Sequence, residues 1–320
     1  MNLHQLRFVQ EVARRGLNLT EAAKALHTSQ PGVSKSILEL EAELGVDIFV
    51  RHGKRIKAMT KPGQEVLKTV EIIMRELGNL RRIGEHYTAQ DSGTLSIATT
   101  HTQARYVLPA PIASLRDEFP KVNISLHQGS PNQVALMLID ETAEIGIATE
   151  SLADYSELVT LPCYEWEHVL VMPFGHPLAN KKDITLEDLA AEPLITYHPS
   201  FTGRTKIDTA FSKVKLHPRI VLEAIDSDVI KTYVATGLGV GILAEMAIKA
   251  ESQVQQGLAG SLSASPLRIR PAGYLFGTNV TRIAFKRGAY LRNFVYAFAQ
   301  HLSPTLNRDL IHQTMKTETS

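Results

Sequence analysis

The chain reads as an α/β protein that begins with a small helical head. Three observations predict this class. The first sixty residues carry apolar positions at helical spacing, with a proline-glycine pair just before an apolar run in "HTSQPGVSK" (His27 to Lys35). A heptad-like stripe follows, from Val66 to Gly84. From residue 93 onward, short apolar runs alternate with helical patterns, the signature of strands joined by crossover helices. The predicted fold class is α/β: an N-terminal winged helix-turn-helix, a long linker helix and two Rossmann-like lobes. At 320 residues and 44% hydrophobic the chain can bury a sizeable core, and its length suggests about two to three domains.

In the head, Leu3, Leu6, Phe8, Val9 and Val12 define a first amphipathic helix that stops at Arg14-Arg15-Gly16. Asn18 is placed to cap a second helix, with Glu21 completing a capping-box pattern. Ala22, Ala23 and Leu26 give it a small-residue face. Ser29 is the expected cap of a third helix. Pro31 then falls in the first turn, where its missing N–H costs nothing because that donor has no intrahelical acceptor. Val33, Ile37, Leu40 and Leu44 point to a core. Two short helices, a tight turn and a helix opening on small polar and basic residues make a helix-turn-helix, whose second helix enters the DNA major groove. Thr28, Ser29, Gln30, Pro31, Ser34 and Lys35 form the candidate base-reading tip, and Gln30, Ser34 and Lys35 carry the chemistry to meet base edges. After Gly45 a short two-stranded ribbon is expected, with Arg51, Lys54 and Arg55 at its turn as candidate phosphate contacts. A small helical subdomain with a solvated basic turn would show the same local pattern.

Charge separates the head from the rest. Met1 to Pro62 holds ten Lys and Arg against six Asp and Glu, a surplus of four, whereas the whole chain carries +1. A basic head on a mildly acidic body suits a polyanion partner for the head alone. The stripe Val66, Val70, Ile73, Leu77, Leu80 and Gly84 belongs to a helix over about 30 Å long at ~1.5 Å per residue. Such a helix looks too long for the head, so a second copy of itself is the economical partner; packing on the body is the alternative.

The body divides into lobes with a polar hinge. Strands are expected at "TLSIATT", "VNISLHQG" and "EIGIATE" in lobe I, and at "EHVLVMPFGHPL", "PLITY", "RIVLEA" and "GVGIL" in lobe II. The boundaries are read as 1–59 for the DNA-binding head, 60–92 for linker helix and hinge, 93–163 with 269–302 for lobe I, 164–268 for lobe II, and 303–320 for a fraying tail. A ligand would sit between the lobes at strand C-terminal ends. The residues after those strands are Thr100, Thr102 and Gln103; Ser130; Thr149; and Thr202 and Gly203. They offer neutral hydrogen-bond groups and little charge, which suits a small anion with a short polar tail. Each is also a favoured helix-capping residue type or a helix-start position.

Catalytic patterns are missing from the sequence. The twelve histidines include no H-x-x-x-H pair, and a single cysteine excludes a zinc cluster, so no metal site is expected. There is no G-x-S-x-G elbow or P-loop. "GLGVG" follows a helix and precedes a strand, the wrong order for a dinucleotide loop, and reads as a close-packed turn. Cys163, in "LPCYEW", is expected to be inert packing at a lobe crossover. With one cysteine, no signal-peptide pattern and no apolar run of membrane length, the expectation is a soluble cytoplasmic protein with no membrane partner. A rival from another class is a small-molecule-binding protein whose head only oligomerises.

The head, from "LHQLRFVQEVARRG" to "RHGKRIKAMTKPG", resembles that of LysR-type transcriptional regulators. The body segments "ATTHTQARY", "HQGSPNQ", "IATE", "LPCYEW", "FTGR" and "DSDVIKTYVATGLGVG" resemble their CysB-type branch, and the likeness covers nearly the whole chain. The resemblance implies a winged helix-turn-helix on promoter DNA and a linker-helix dimer within a homotetramer. It also implies an effector domain like type 2 periplasmic-binding proteins, and contact with RNA polymerase. It further implies activation of cysteine-biosynthesis and sulfur-assimilation genes in response to O- or N-acetylserine, opposed by sulfide or thiosulfate, with no cofactor beyond such an effector. The family's anion site, also suited to sulfate, maps onto Thr100, Thr102, Gln103, Thr149 and Thr202. A sister Cbl-type branch, regulators of sulfonate and sulfate-starvation genes, shares much of the pattern.

Overall fold

A computed structural model describes residues 1–53, 55–88, 92–248 and 267–316; for His86, Glu150 and Thr202 it describes the backbone alone. Lys54, three residues of the expected hinge and the last four of the tail lie outside the described residues. The chain divides into two compact units, Met1–Thr88 and Ala89–Ser320.

The first unit contains α1 (Leu3–Arg14), α2 (Leu19–Ala25), α3 (Gln30–Leu44), β1 (Phe49–His52), β2 (Arg55–Met59) and α4 (Lys61–Thr88). Its caps explain its boundaries. Asn18 accepts the N–H groups of Thr20 and Glu21 at 3.0 and 3.2 Å. The expected capping box is not closed, because the Glu21 carboxylate pairs with Lys24 at 2.9 Å instead. Ser29 accepts the Gly32 N–H at 3.2 Å and Pro31 lies in the first turn of α3. Gly45, at φ +70°, ends that helix in the left-handed conformation. Leu6, Val9, Val12, Ala22, Val33, Ile37, Leu40 and Ile48 form the core. The reading of α4 as too long for the head needs correction in its first half. Val70 is buried in the head core, with Val66, Leu67, Ile73 and Met74 packed against it. Gly63 permits this docking, since a Cβ there would lie 2.0 Å from the Ile48 carbonyl oxygen. Further along, Leu80 is 66% and Tyr87 72% exposed.

The second unit is built on nine strands among the described residues. They are β3 (Ser92–Thr99), β4 (Lys121–Gln128), β5 (Ile145–Ala148), β6 (Leu158–Pro173), β7 (Pro193–Tyr197), β8 (Arg219–Ala224), β9 (Val240–Ala244), β10 (Leu267–Pro271) and β11 (Thr278–Lys286). Their order is β4-β3-β5-β11-β6-β9-β7-β8, with β10 also pairing β6. Helices connect them: α5 (His101–Tyr106), α6 (Pro109–Glu118), α7 (Pro131–Ile139), α8 (Leu186–Ala190), α9 (Thr202–Lys213), α10 (Ser227–Ala235), α11 (Gly273–Phe276), α12 (Asn293–Leu302) and α13 (Arg308–Lys316). After β3 the chain forms two helices, α5 and α6, with the break just before Pro109.

β3 pairs in parallel with β4 and β5, and β7 with β8 and β9, as the strand-helix alternation predicts. The remaining strands, β6, β10 and β11, pair antiparallel, and β6 and β11 carry the chain between lobes. β6 pairs with β11 from Leu158 to Glu167, then with β9 and β10 from His168 to Pro173. One sixteen-residue strand therefore belongs to both lobes. "GLGVG" is a close-packed turn: a Cβ on Gly239 would lie 2.3 Å from the Pro193 carbonyl oxygen.

Two boundary readings change. Lobe I was to resume at residue 269, yet β10 pairs with β6 in lobe II, and Ala272 and Phe276 join that lobe's core. The return crossing therefore follows Phe276. The expected fraying tail is largely ordered: Leu306 and Ile311 are buried in the lobe I core, and α13 forms around Ile311.

Candidate functional site

The C-terminal ends of β3, β5, β7 and β9 converge on a cavity of about 40 Å³, room for a few water-sized groups. Thr100, Thr102, Gln103, Pro131 and Thr149 line it from lobe I; Trp166, Tyr197, Phe201, Gly203, Ala244 and Met246 complete it. No charged side chain is among them. The sequence reading placed Thr100, Thr102, Gln103, Thr149 and Gly203 here, and the structure brings these five together. For Thr202 only the backbone, the first residue of α9, is described.

The capping alternative can be judged residue by residue. Thr100 and Thr149 occupy cap positions without using their side chains as caps. The Thr149 hydroxyl is buried with no hydrogen-bond partner, and so is the indole N–H of Trp166. Such orphans are costly unless something occupies the cavity. Ser130 is different: it is an ordinary cap, in a capping box with Gln133. It lines a neighbouring, larger opening of about 440 Å³ with His101, Gln128, Ser200, Phe201 and Ile225. Gln103 is held in place by both ends of its amide. It donates to the Thr281 hydroxyl at 3.2 Å and accepts from the Tyr164 hydroxyl. Gly203 packs closely, since a Cβ there would press on Trp166 and His168 at 3.2 and 3.3 Å.

Sequence reasoning missed the lobe II wall apart from Gly203, although the chain's single tryptophan near a predicted crossover was an available signal. It also missed the contacts that tie the lobes together beside the cavity. The Ser227 hydroxyl meets Thr102 at 3.4 Å and Tyr197 at 2.8 Å. His101 Nε2 lies 3.0 Å from Asp226, and Arg105 Nε 2.5 Å from Asp228. Tyr106 donates to Asp228, and the buried Lys231 reaches both Asp228 at 2.9 Å and the Tyr106 oxygen at 3.1 Å. Burial works against the Asp228 charge, but hydrogen bonds from Tyr106 and Lys231, with the Lys231 and Arg105 charges, hold its carboxyl below the usual range. His101, Asp226 and Asp228 are spaced to hold a metal ion, but these carboxylates already face the cations and donors just named. Under the cavity, burial pushes His168 down to about 4, a neutral imidazole at ordinary pH. Burial pushes the Cys163 thiol up to about 12, in keeping with a packing role.

In the first unit the candidate tip is at the surface. Thr28, Ser29, Pro31, Lys35 and Arg55 are exposed, while Gln30 and Ser34 are half-buried. Arg51 departs from the expectation of a free wing cation. Its side chain is 19% exposed and its Nη2 lies 3.2 Å from the buried carboxylate of Glu41.

A surface-tipped helix-turn-helix and a two-lobed unit with a cavity lined by uncharged residues define a ligand-sensing transcription factor. Comparison with known proteins agrees. Residues 3–64 match the family described as bacterial regulatory helix-turn-helix protein, lysR family, and residues 88–306 match the LysR substrate binding domain. The chain belongs to the LysR family of transcriptional regulators. It is 57% identical over 318 residues to the HTH-type transcriptional regulator CysB of Burkholderia cenocepacia, covering 99% of this chain and 98% of that one. It is 44% identical over 317 residues to the HTH-type transcriptional regulator cbl of Escherichia coli, covering 99% and 97%. Among solved structures, the cofactor-binding domain of the Cbl transcriptional regulator matches with TM-score 0.63 and 43% identity, covering 71% of this chain and 95% of that one. No helix among the described residues is long and apolar enough to cross a membrane.

Proposed function

We propose that the chain is a CysB-type regulator that activates genes of cysteine biosynthesis and sulfur assimilation when a small anion occupies the cavity. The similarity to CysB over nearly the full length supports the role. The observation that carries the ligand class is the pair of buried, unpartnered donors, Thr149 Oγ1 and Trp166 Nε1, at a cavity with no charged lining. Neutral donors held in a buried site bind a carboxylate or sulfate through charge-assisted hydrogen bonds, without the cost of burying a cation. The acidic end of O- or N-acetylserine, or sulfate or thiosulfate, is the matching chemistry. The larger opening past Phe201, with Ser130 on its wall, offers room for a tail.

The tip of α3 reads promoter DNA, with Gln30, Ser34 and Lys35 at base edges and Lys54 and Arg55 on phosphates. The exposed second half of α4 associates with another copy, placing two heads on a two-fold-related site within a homotetramer. The effector favours one lobe arrangement, and that preference is what changes subunit arrangement, DNA bend and RNA polymerase contact. Gel shift of the protein on its own upstream DNA, with and without acetylserine, tests this reading. A shift that ignores the effector, or no shift at all, refutes it. A Cbl-type role is the second reading, supported by the 44% identity to cbl. Titration with acetylserine against adenosine phosphosulfate separates the two.

A further inference from the structure

Glu41, on α3, is 5% exposed at its side chain. A buried carboxylate must be fully partnered or it destabilises the fold. Its Oε1 accepts the N–H groups of Ile48 and Phe49 at 2.8 and 3.0 Å, tying α3 to the entrance of the wing. Its Oε2 takes Arg51 Nη2 at 3.2 Å. The β1–β2 register shifts between Val50 and Arg51, with Lys57 the extra residue on the facing strand. The second terminal nitrogen of Arg51, Nη1, donates to the Ser34 hydroxyl oxygen at 3.3 Å. One guanidinium thus bridges a buried acid and a residue of the DNA-reading tip.

A serine hydroxyl has one proton and two lone pairs. The N–H of Arg51 occupies one lone pair and places a positive charge beside the oxygen, which weakens the remaining lone pair as an acceptor and favours the Ser34 proton as the group turned outward. We propose that Arg51 is a positioning residue: anchored by Glu41, it presents Ser34 as a hydrogen-bond donor to an acceptor on a base edge, and it does not serve as a phosphate contact. The acceptors available in the major groove are guanine N7 and O6, adenine N7 and thymine O4. The inference rests on the reading of α3 as the DNA-recognition helix.

The test uses the full chain, a duplex selected by the wild-type protein from a randomised library, and a scrambled duplex, titrated by fluorescence anisotropy over a salt series. Arg55→Gln, a phosphate contact, should weaken both duplexes and lower the salt slope by about one. Arg51→Gln should leave the slope on scrambled DNA unchanged and reduce the selected-to-scrambled ratio about tenfold. Ser34→Ala should cause the same loss and relax preference at the same base pair, and the double variant should be no worse than either alone. Arg51→Lys keeps the charge but lacks the fork that spans both partners, so it should not restore the ratio. Should Arg51→Gln destabilise the head, Arg51→Lys and Ser34→Ala, compared at equal active fraction, still decide the matter. A slope lowered by about one in Arg51→Gln, full recovery in Arg51→Lys, or additive losses in the double variant would overturn the proposal. A wild-type protein that enriches no sequence would overturn the recognition-helix reading beneath it, a result distinct from those three.

Discussion

Lys35, at the tip of α3, has a side chain 81% exposed, and Arg55 on the ribbon is exposed as well. The cavity of the second unit is lined by no charged residue, and two of its polar atoms are buried without partners. Both regions are read as anion sites, yet they use opposite means. A DNA backbone is a long, hydrated polyanion, so mobile surface cations suffice, and their effect is screened by salt. A single small anion offers few contacts and has to be desolvated, so neutral donors in a buried cavity do better. The head should therefore respond to ionic strength, and the second unit to changes in its buried groups.

The largest expected effect tests the buried side of this contrast. His168 is fully buried, and its pKa lies near 4 against an ordinary 6.5. The unfolded chain then takes up the proton first. Stability from this group is complete above about pH 6.5 and is lost as pH falls through about 4, amounting to roughly 3 kcal/mol. Denaturant unfolding followed by Trp166 fluorescence should show this fall, and His168→Asn should flatten it. An unchanged pH profile in the variant would mean that His168 is not held neutral.

Next comes the cavity. Thr149→Val keeps shape and removes an orphaned hydroxyl, so melting temperature should hold or rise slightly while calorimetric affinity for sulfate or acetylserine falls about 10- to 100-fold. Thr100→Val should likewise fold and lose effector response. Undiminished binding in either variant removes that threonine from the site.

The cross-lobe contacts should give a smaller change. Asp228→Asn weakens the links from Arg105, Lys231 and Tyr106 to α10, so effector affinity should drop several-fold, about 1 kcal/mol, with a larger radius of gyration in solution scattering. Because the Asp228 carboxyl is held below its usual range, its stabilisation is present above about pH 4 and lost as pH falls further. An unaltered affinity and radius would show that the lobes do not depend on it.

The smallest effect belongs to the head. Lys54→Gln should weaken binding to every DNA sequence and lower the salt slope by about one. If slope and affinity did not move, Lys54 would be no phosphate contact, and were Arg55→Gln equally silent the contrast between the two units would fail on that side.

Much of this was legible along the chain because it is local. Ser29 and Pro31 announce α3, Gly45 ends it, and the strand-helix alternation marks both lobes. Thr100, Thr102, Gln103 and Thr149 could be placed because topology sends strand ends to one crevice. What the chain order could not show depends on partners far apart in sequence. Gln103 is set by Thr281, 178 residues away, and Thr102 meets Ser227 across 125. The tail looked frayed until Leu306 and Ile311 found the lobe I core. Arg51 looked like one more wing cation until Glu41, ten residues earlier, claimed its charge. Periodicity, caps and turn residues act within a few positions, so the sequence alone determined the elements and the types of group at their ends. Which groups are paired, buried or left unpartnered is a property of long-range packing, and only the tertiary structure decided it.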